Sequence, residues 1–141
     1  MTHRSTVAVA CLVCAAALAA GTQPSQAKGR HAKLKLKPDN AMVNTQVKVK
    51  GSGFARRASV TLRECSATFW IVPQDPCDTG NEVTVRTNAH GSFVTSMKAE
   101  VCPEGEPGEQ ITERRCYIGV PSFGEDTVEL SPSAKLTVTY P

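Results

Sequence analysis

The sequence predicts an all-β sandwich, and three observations carry that prediction. Apolar and polar residues alternate with period two in segment after segment from Lys33 to Tyr140, the spacing of strands with one buried face. Gly, Pro and Asn clusters interrupt the alternation at short intervals, as turns between strands do. No segment of useful length shows the helical period.

The elements follow in order. Lys33-Leu34-Lys35-Leu36-Lys37 alternates and ends at Pro38-Asp39-Asn40. Gln46-Val47-Lys48-Val49-Lys50 alternates again and stops at Gly51-Ser52-Gly53, which is read as a turn because no helix and no Gly-Lys-Ser/Thr follow it. Ser59-Val60-Thr61-Leu62-Arg63 runs into Cys65, and Thr68 to Val72 is a short aromatic run closed by Pro73 and Pro76. Glu82 to Arg86 is followed by a turn at Asn88-Ala89-His90-Gly91 and a strand from Ser92 to Lys98. After an acidic loop come Arg115 to Val120, Asp126 to Leu130 and Lys135 to Tyr140. Eight or nine short strands in a domain of this size suit an immunoglobulin-like sandwich of about 100 residues.

The chain has 141 residues, room for one domain. Residues 1–27 read as a cleaved signal peptide: His3 and Arg4 begin a basic region, Val7 to Ala20 are apolar and small, Gly21 and Pro24 break the run, and Ser25-Gln26-Ala27 offers small residues for cleavage. Cys11 and Cys14 fall inside that leader and match neither a lipoprotein box nor a working redox pair. The expected mature domain is 28–141, exported, with no membrane span and as a monomer.

Four cysteines remain in it: Cys65, Cys77, Cys102 and Cys116. An even count in a small exported domain argues for two disulfides, with three connectivities open. Spacings of 11 and 13 residues suit sequential pairing across adjacent strands or loops. Zinc ligation is the weaker reading, because short-spaced thiol pairs are lacking and only His31 and His90 accompany the thiols.

No hydrolase, nucleotide or metalloprotease motif occurs, so no catalytic residue and no metal ligand is assigned. His90, beside Gly91, is read as a turn residue. Glu104, Glu106, Glu109 and Glu113 crowd the loop before Cys116 without EF-hand order and are read as a solvated acidic loop.

Charge is segregated. Lys28 to Arg63 carries ten Lys/Arg and one Asp, whereas Glu64 to Pro141 carries five Lys/Arg and twelve Asp/Glu. Lys33, Lys35 and Lys37 share one face of a strand, and Lys48 and Lys50 share a face of the next. This basic face is either a solvated surface that discourages edge aggregation or a surface for an anionic polymer. It lacks the interleaved aromatics of base-stacking proteins.

With seven aromatics in the chain, their placement matters. Phe69 and Trp70 lie between Cys65 and Cys77, and Tyr117 follows Cys116. Aromatics beside a disulfide at one end of a sandwich either line a cleft for a flat apolar molecule or plug the core beneath the loop.

The ordered set Val47-Lys48-Val49-Lys50-Gly51-Ser52-Gly53-Phe54, Cys65 to Cys77, Val83 to Val85 with Asn88-Ala89-His90-Gly91-Ser92, and Cys116-Tyr117-Ile118-Gly119-Val120 resembles the neocarzinostatin family of secreted enediyne-antibiotic apoproteins. The resemblance covers about Val43 to Tyr140. It implies a seven-stranded immunoglobulin-like sandwich with a small two-stranded ribbon, and disulfides Cys65–Cys77 and Cys102–Cys116. It also implies a cleft between barrel and ribbon that holds a labile enediyne chromophore non-covalently, whose release damages DNA. The cleft floor would include the Cys65–Cys77 bridge, Tyr117 would take a cleft position, and Phe69 or Trp70 would stand for the family's tryptophan. Glu82 occupies the place of a family cleft phenylalanine, where a carboxylate opposes burial of an apolar polyene. Two functions follow: a secreted, non-enzymatic carrier of a hydrophobic antimicrobial ligand, or an interaction module without a chromophore whose basic strands meet an anionic polymer.

Overall fold

A computed structural model describes residues 31–100, 102 and 112–141, apart from the side chain of Thr79. The leader 1–27 and Glu104, Glu106 and Glu109 lie outside the described residues. Nine strands make up the described chain: β1 Lys33–Lys37, β2 Asn40–Met42, β3 Gln46–Ser52, β4 Ser59–Cys65, β5 Phe69–Ile71, β6 Cys77–Arg86, β7 Phe93–Lys98, β8 Glu113–Phe123 and β9 Thr127–Thr139. Seven have five residues or more and form the sandwich, while β2 and β5 have three each. No described helix is long and apolar enough to cross a membrane.

One sheet has the order β1-β3-β7. The other runs β2-β9-β8-β4-β6, with β5 paired to β9. Strand alternation points Leu34, Val47, Val49, Phe93 and Met97 from the first sheet at Val60, Leu62, Ile118, Leu136 and Val138 from the second. These side chains are buried and form the main core, with Cys102 and Cys116 inside it. The disulfides are Cys65–Cys77 and Cys102–Cys116.

Three local features differ from simple alternation. β3 does not stop at Lys50 but continues through Gly51 to Ser52, paired with Leu34 and Lys33 of β1, and residue 51 is glycine because a Cβ there would collide with the Phe93 ring opposite it on β7. β2 pairs in parallel with the end of β9, Ala41 opposite Val138, and is too short to show a period in sequence. β9 unites what reads as two strands, Asp126 to Leu130 and Lys135 to Tyr140. Gly119 pairs with Ser133 but Pro121 with Leu130, so β9 places Ser131 and Pro132 against the single residue Val120. This bulge accommodates a proline without a donor and shifts the alternation by one. Gly119 is required beneath it, since a Cβ there would lie 2.9 Å from Leu130 Cβ and 3.0 Å from the Pro132 carbonyl.

The shift has a large consequence. Leu136 and Val138 face the main core, while Val128 and Leu130, equally even-numbered, face a second one on the other side of the sheet. That second core holds Cys65, Trp70, Cys77, Val128 and Leu130, with Tyr117 packed against it. His90 sits exposed in the β6–β7 turn, its backbone N–H donating to Asn88 Oδ1 at 2.8 Å.

Candidate functional site

The second core is roofed by the ribbon. β5 runs antiparallel to the start of β9, with Phe69 opposite Glu129, Trp70 opposite Val128 and Ile71 opposite Thr127. The tail of β8 flanks the same stretch of β9 on its other side, Phe123 opposite Val128. Alternation along β5 splits its apolar residues. Trp70 turns inward and is buried against the Cys65–Cys77 bridge, Val128 and Leu130, while Phe69 and Ile71 turn outward and are exposed. Val72 and Phe123 are exposed as well, so four large apolar side chains surround the ribbon. Single exposed apolar residues are ordinary, whereas a group of them at one end of a domain makes this surface the candidate site.

Beside the ribbon lies a cavity of about 430 Å³. Phe69, Trp70 and Ile71 form its apolar wall, Ala67 and Pro76 its rim, and Gln74 and Asp75 its polar side. The loop that closes it is held by backbone bonds: Ser66 N–H to the Pro76 carbonyl at 2.9 Å, Gln74 N–H to Ile71 at 3.0 Å, and Val72 N–H to Asp126 at 3.0 Å. Asp75 is held from two sides. Its Oδ1 accepts the Cys77 N–H at 3.1 Å, and its Oδ2 lies 3.5 Å from Arg63 Nη1.

Of the residues singled out from sequence, Phe69 and Trp70 line this cavity. Cys65 and Cys77 belong to the packed layer with Trp70 and are not among the lining residues. Tyr117 stands opposite Cys65 in the β4–β8 ladder and packs on the same layer. Glu82 stands opposite Arg63 on the β4–β6 ladder and accepts its Nε–H at 2.8 Å, an ion pair outside the cavity lining. Alternation alone missed Ile71, Gln74, Asp75 and Pro76. The signal was the pair of prolines, Pro73 and Pro76, which folds the loop back over the aromatic run.

A second polar group went unread. Glu64 lies on the inward face of β4, in line with Val60 and Leu62, and is fully buried. Its Oε2 accepts from Asn81 Nδ2 at 2.5 Å and from the Glu100 N–H at 3.1 Å, and Asn81 Nδ2 also donates to the Lys98 carbonyl at 2.6 Å. These bonds clasp β4 and β6 to the end of β7, joining the two sheets. Burial pushes the Glu64 carboxyl up to about 7, against the partial opposition of the Glu100 and Asn81 hydrogen bonds. Glu64, Cys102 and Cys116 bring potential ligand atoms within 4.8 Å of one another. With the two sulfurs bonded to each other, the thiolates that would hold a metal are not available there.

No family model and no curated protein matches this chain. Among solved structures it is similar to macromomycin, with a TM-score of 0.49 and 13% sequence identity over 79% of this chain and all of the other.

Proposed function

We propose that the protein is a secreted, non-enzymatic binding module that carries a flat hydrophobic small molecule against the β5 ribbon. The observation that supports this reading is the 430 Å³ cavity walled by Phe69, Trp70 and Ile71, with only Gln74 and Asp75 supplying polarity. Ligand sites are mostly apolar concavities of this size with a few fixed polar groups, and Asp75 is fixed. The rigid bridge under Trp70 keeps the wall from collapsing when the cavity is empty. The resemblance of the Cys116-Tyr117-Ile118-Gly119-Val120 segment to enediyne apoproteins suggests a labile chromophore as ligand and an antimicrobial role. On that reading any DNA association belongs mainly to the ligand.

A second reading is favoured by one observation. Trp70, Val128 and Leu130 already fill the space over the bridge, as in a module whose ribbon is a plug and whose outer surface meets a partner. Trp70 is the only tryptophan, so its emission reports on the site directly. Titration with planar polycyclic aromatics is expected to quench or shift that emission saturably, and Phe69→Ser together with Ile71→Ser is expected to weaken the response. Unchanged emission at saturating ligand would favour the plug.

A further inference from the structure

We infer that the outer face of the three-stranded sheet docks on the phosphate backbone of double-stranded DNA without reading its sequence. The inference is independent of the ribbon cleft. It rests on the register that folding creates: Lys35 stands directly opposite Lys50 and Lys37 directly opposite Lys48, with Lys33 completing the row on β1. All five ammonium-bearing residues are exposed. The ion pairs among the described residues are Arg63 with Asp75 and Glu82, and Lys98 with Glu100, so none of the five has a described carboxylate partner.

Like charges placed directly opposite each other across a ladder destabilise a sheet. Protection of a sheet edge explains lysines on β1, an edge strand. It does not explain Lys48 and Lys50, because β3 is the central strand, covered by β1 on one side and β7 on the other. A polyanion lying across both strands turns that cost into attraction.

The surroundings choose among polyanions. Lysines recur about 6.8 Å apart along each strand and about 4.8 Å apart across them, a flat lattice of flexible point charges. Lys rather than Arg suits phosphate contact without bidentate base readout. The face carries no Phe, Tyr or Trp, since those residues lie in the two cores and around the ribbon. Single-stranded nucleic acid would need them for stacking, and an anionic bilayer, which lysines alone can attract, is the competitor that vesicle binding separates. Duplex DNA needs no aromatics and offers the densest regular row of phosphates. Within 28–141 every acidic residue except Asp39 follows Arg63, so the chain segment that forms the lysine rows carries little opposing charge.

The test is fluorescence anisotropy of a mixed-sequence labelled duplex titrated with the mature chain at several salt concentrations. Five phosphate contacts predict a log–log salt slope of about −4.5 and roughly a 500-fold loss of affinity between about 50 and about 200 mM salt. In the Lys35→Gln/Lys50→Gln variant the slope is expected to become shallower by about 2. Lys135→Gln, off the face, is expected to keep a slope within one unit of the parent. Circular dichroism of both variants checks that the fold is retained. The inference fails if the duplex does not bind at low salt, or if Lys135→Gln matches the double variant. It fails equally if the double variant keeps the parent slope, or if phosphatidylserine vesicles bind where duplex does not.

Discussion

The core around Cys102–Cys116 is walled by both sheets, whereas the one around Cys65–Cys77 packs on a single sheet, extended at the β9 edge by the three-residue strand β5. In the first, aliphatic side chains from both layers interdigitate, and the Glu64–Asn81–Glu100 clasp ties the layers together. In the second, one tryptophan and two aliphatics cover a disulfide, and Phe69, Ile71, Val72 and Phe123 are left outside. The difference teaches where each kind of stability comes from. Both cores enclose a disulfide, but the two-sided one adds a large buried aliphatic area to it. The one-sided layer has little area to bury, leans more heavily on its bridge, and leaves apolar side chains exposed around the ribbon.

Substitutions in the two regions should separate them. Leu62→Ala, at a fully buried position of the main core, is expected to cost about 4 kcal/mol by chemical denaturation. A cost below about 1 kcal/mol would mean that the main core is loosely packed and no firmer than the layer at the ribbon.

The clasp gives the next largest effect, and it depends on pH. The Glu64 carboxyl is raised from 4.5 to about 7 in the folded chain, so the folded state holds this proton more tightly than the unfolded state does. Its contribution is therefore complete below about pH 4.5 and is lost as pH rises through about 7, a change of about 3 kcal/mol. Stability measured across that window should fall for the parent, while Glu64→Gln, which keeps the shape and cannot ionise, should lie on a much flatter curve. Parallel curves would show that Glu64 titrates normally.

At the ribbon, Phe69→Ser should change stability by less than about 0.5 kcal/mol, because the ring is exposed, yet lower the affinity for planar aromatics about tenfold. A large stability loss would make Phe69 part of the second core. The smallest effect concerns the basic face. Lys50→Thr removes a like-charge pair with Lys35 and adds a β-branched residue, so it should raise stability by about 0.5 kcal/mol at low salt. That gain should shrink as salt screens the parent's repulsion.

How much of this was legible can be judged from particular residues. The inward positions of β3 and β4, Val47, Val49, Val60 and Leu62, follow from alternation, because a strand with one buried face writes its period into the sequence. The same rule placed five lysines outward, but only the register between β1 and β3 set them in opposed pairs. Phe69 and Trp70 stand out in the sequence because aromatics are scarce in this chain. Their division into one exposed ring and one buried ring was not readable until β5 was paired with β9. Glu64 shows the limit most plainly. It occupies an inward position by the same alternation as Leu62, but a charged residue at the end of a strand reads as solvated until its partners, Asn81 and Glu100, are known.

By itself, the sequence determined the class: an all-β domain with strands in these places and four cysteines beyond the leader-like segment. That information is local, because period and turn chemistry act between residues near in the chain. The two disulfides are those that the family resemblance implied, but tertiary structure alone decided where β9 changes faces, at Ser131–Pro132, and which residues line the cavity. Those outcomes depend on pairing between distant strands. A one-residue shift in register exchanges the two faces of a strand without altering a single local preference.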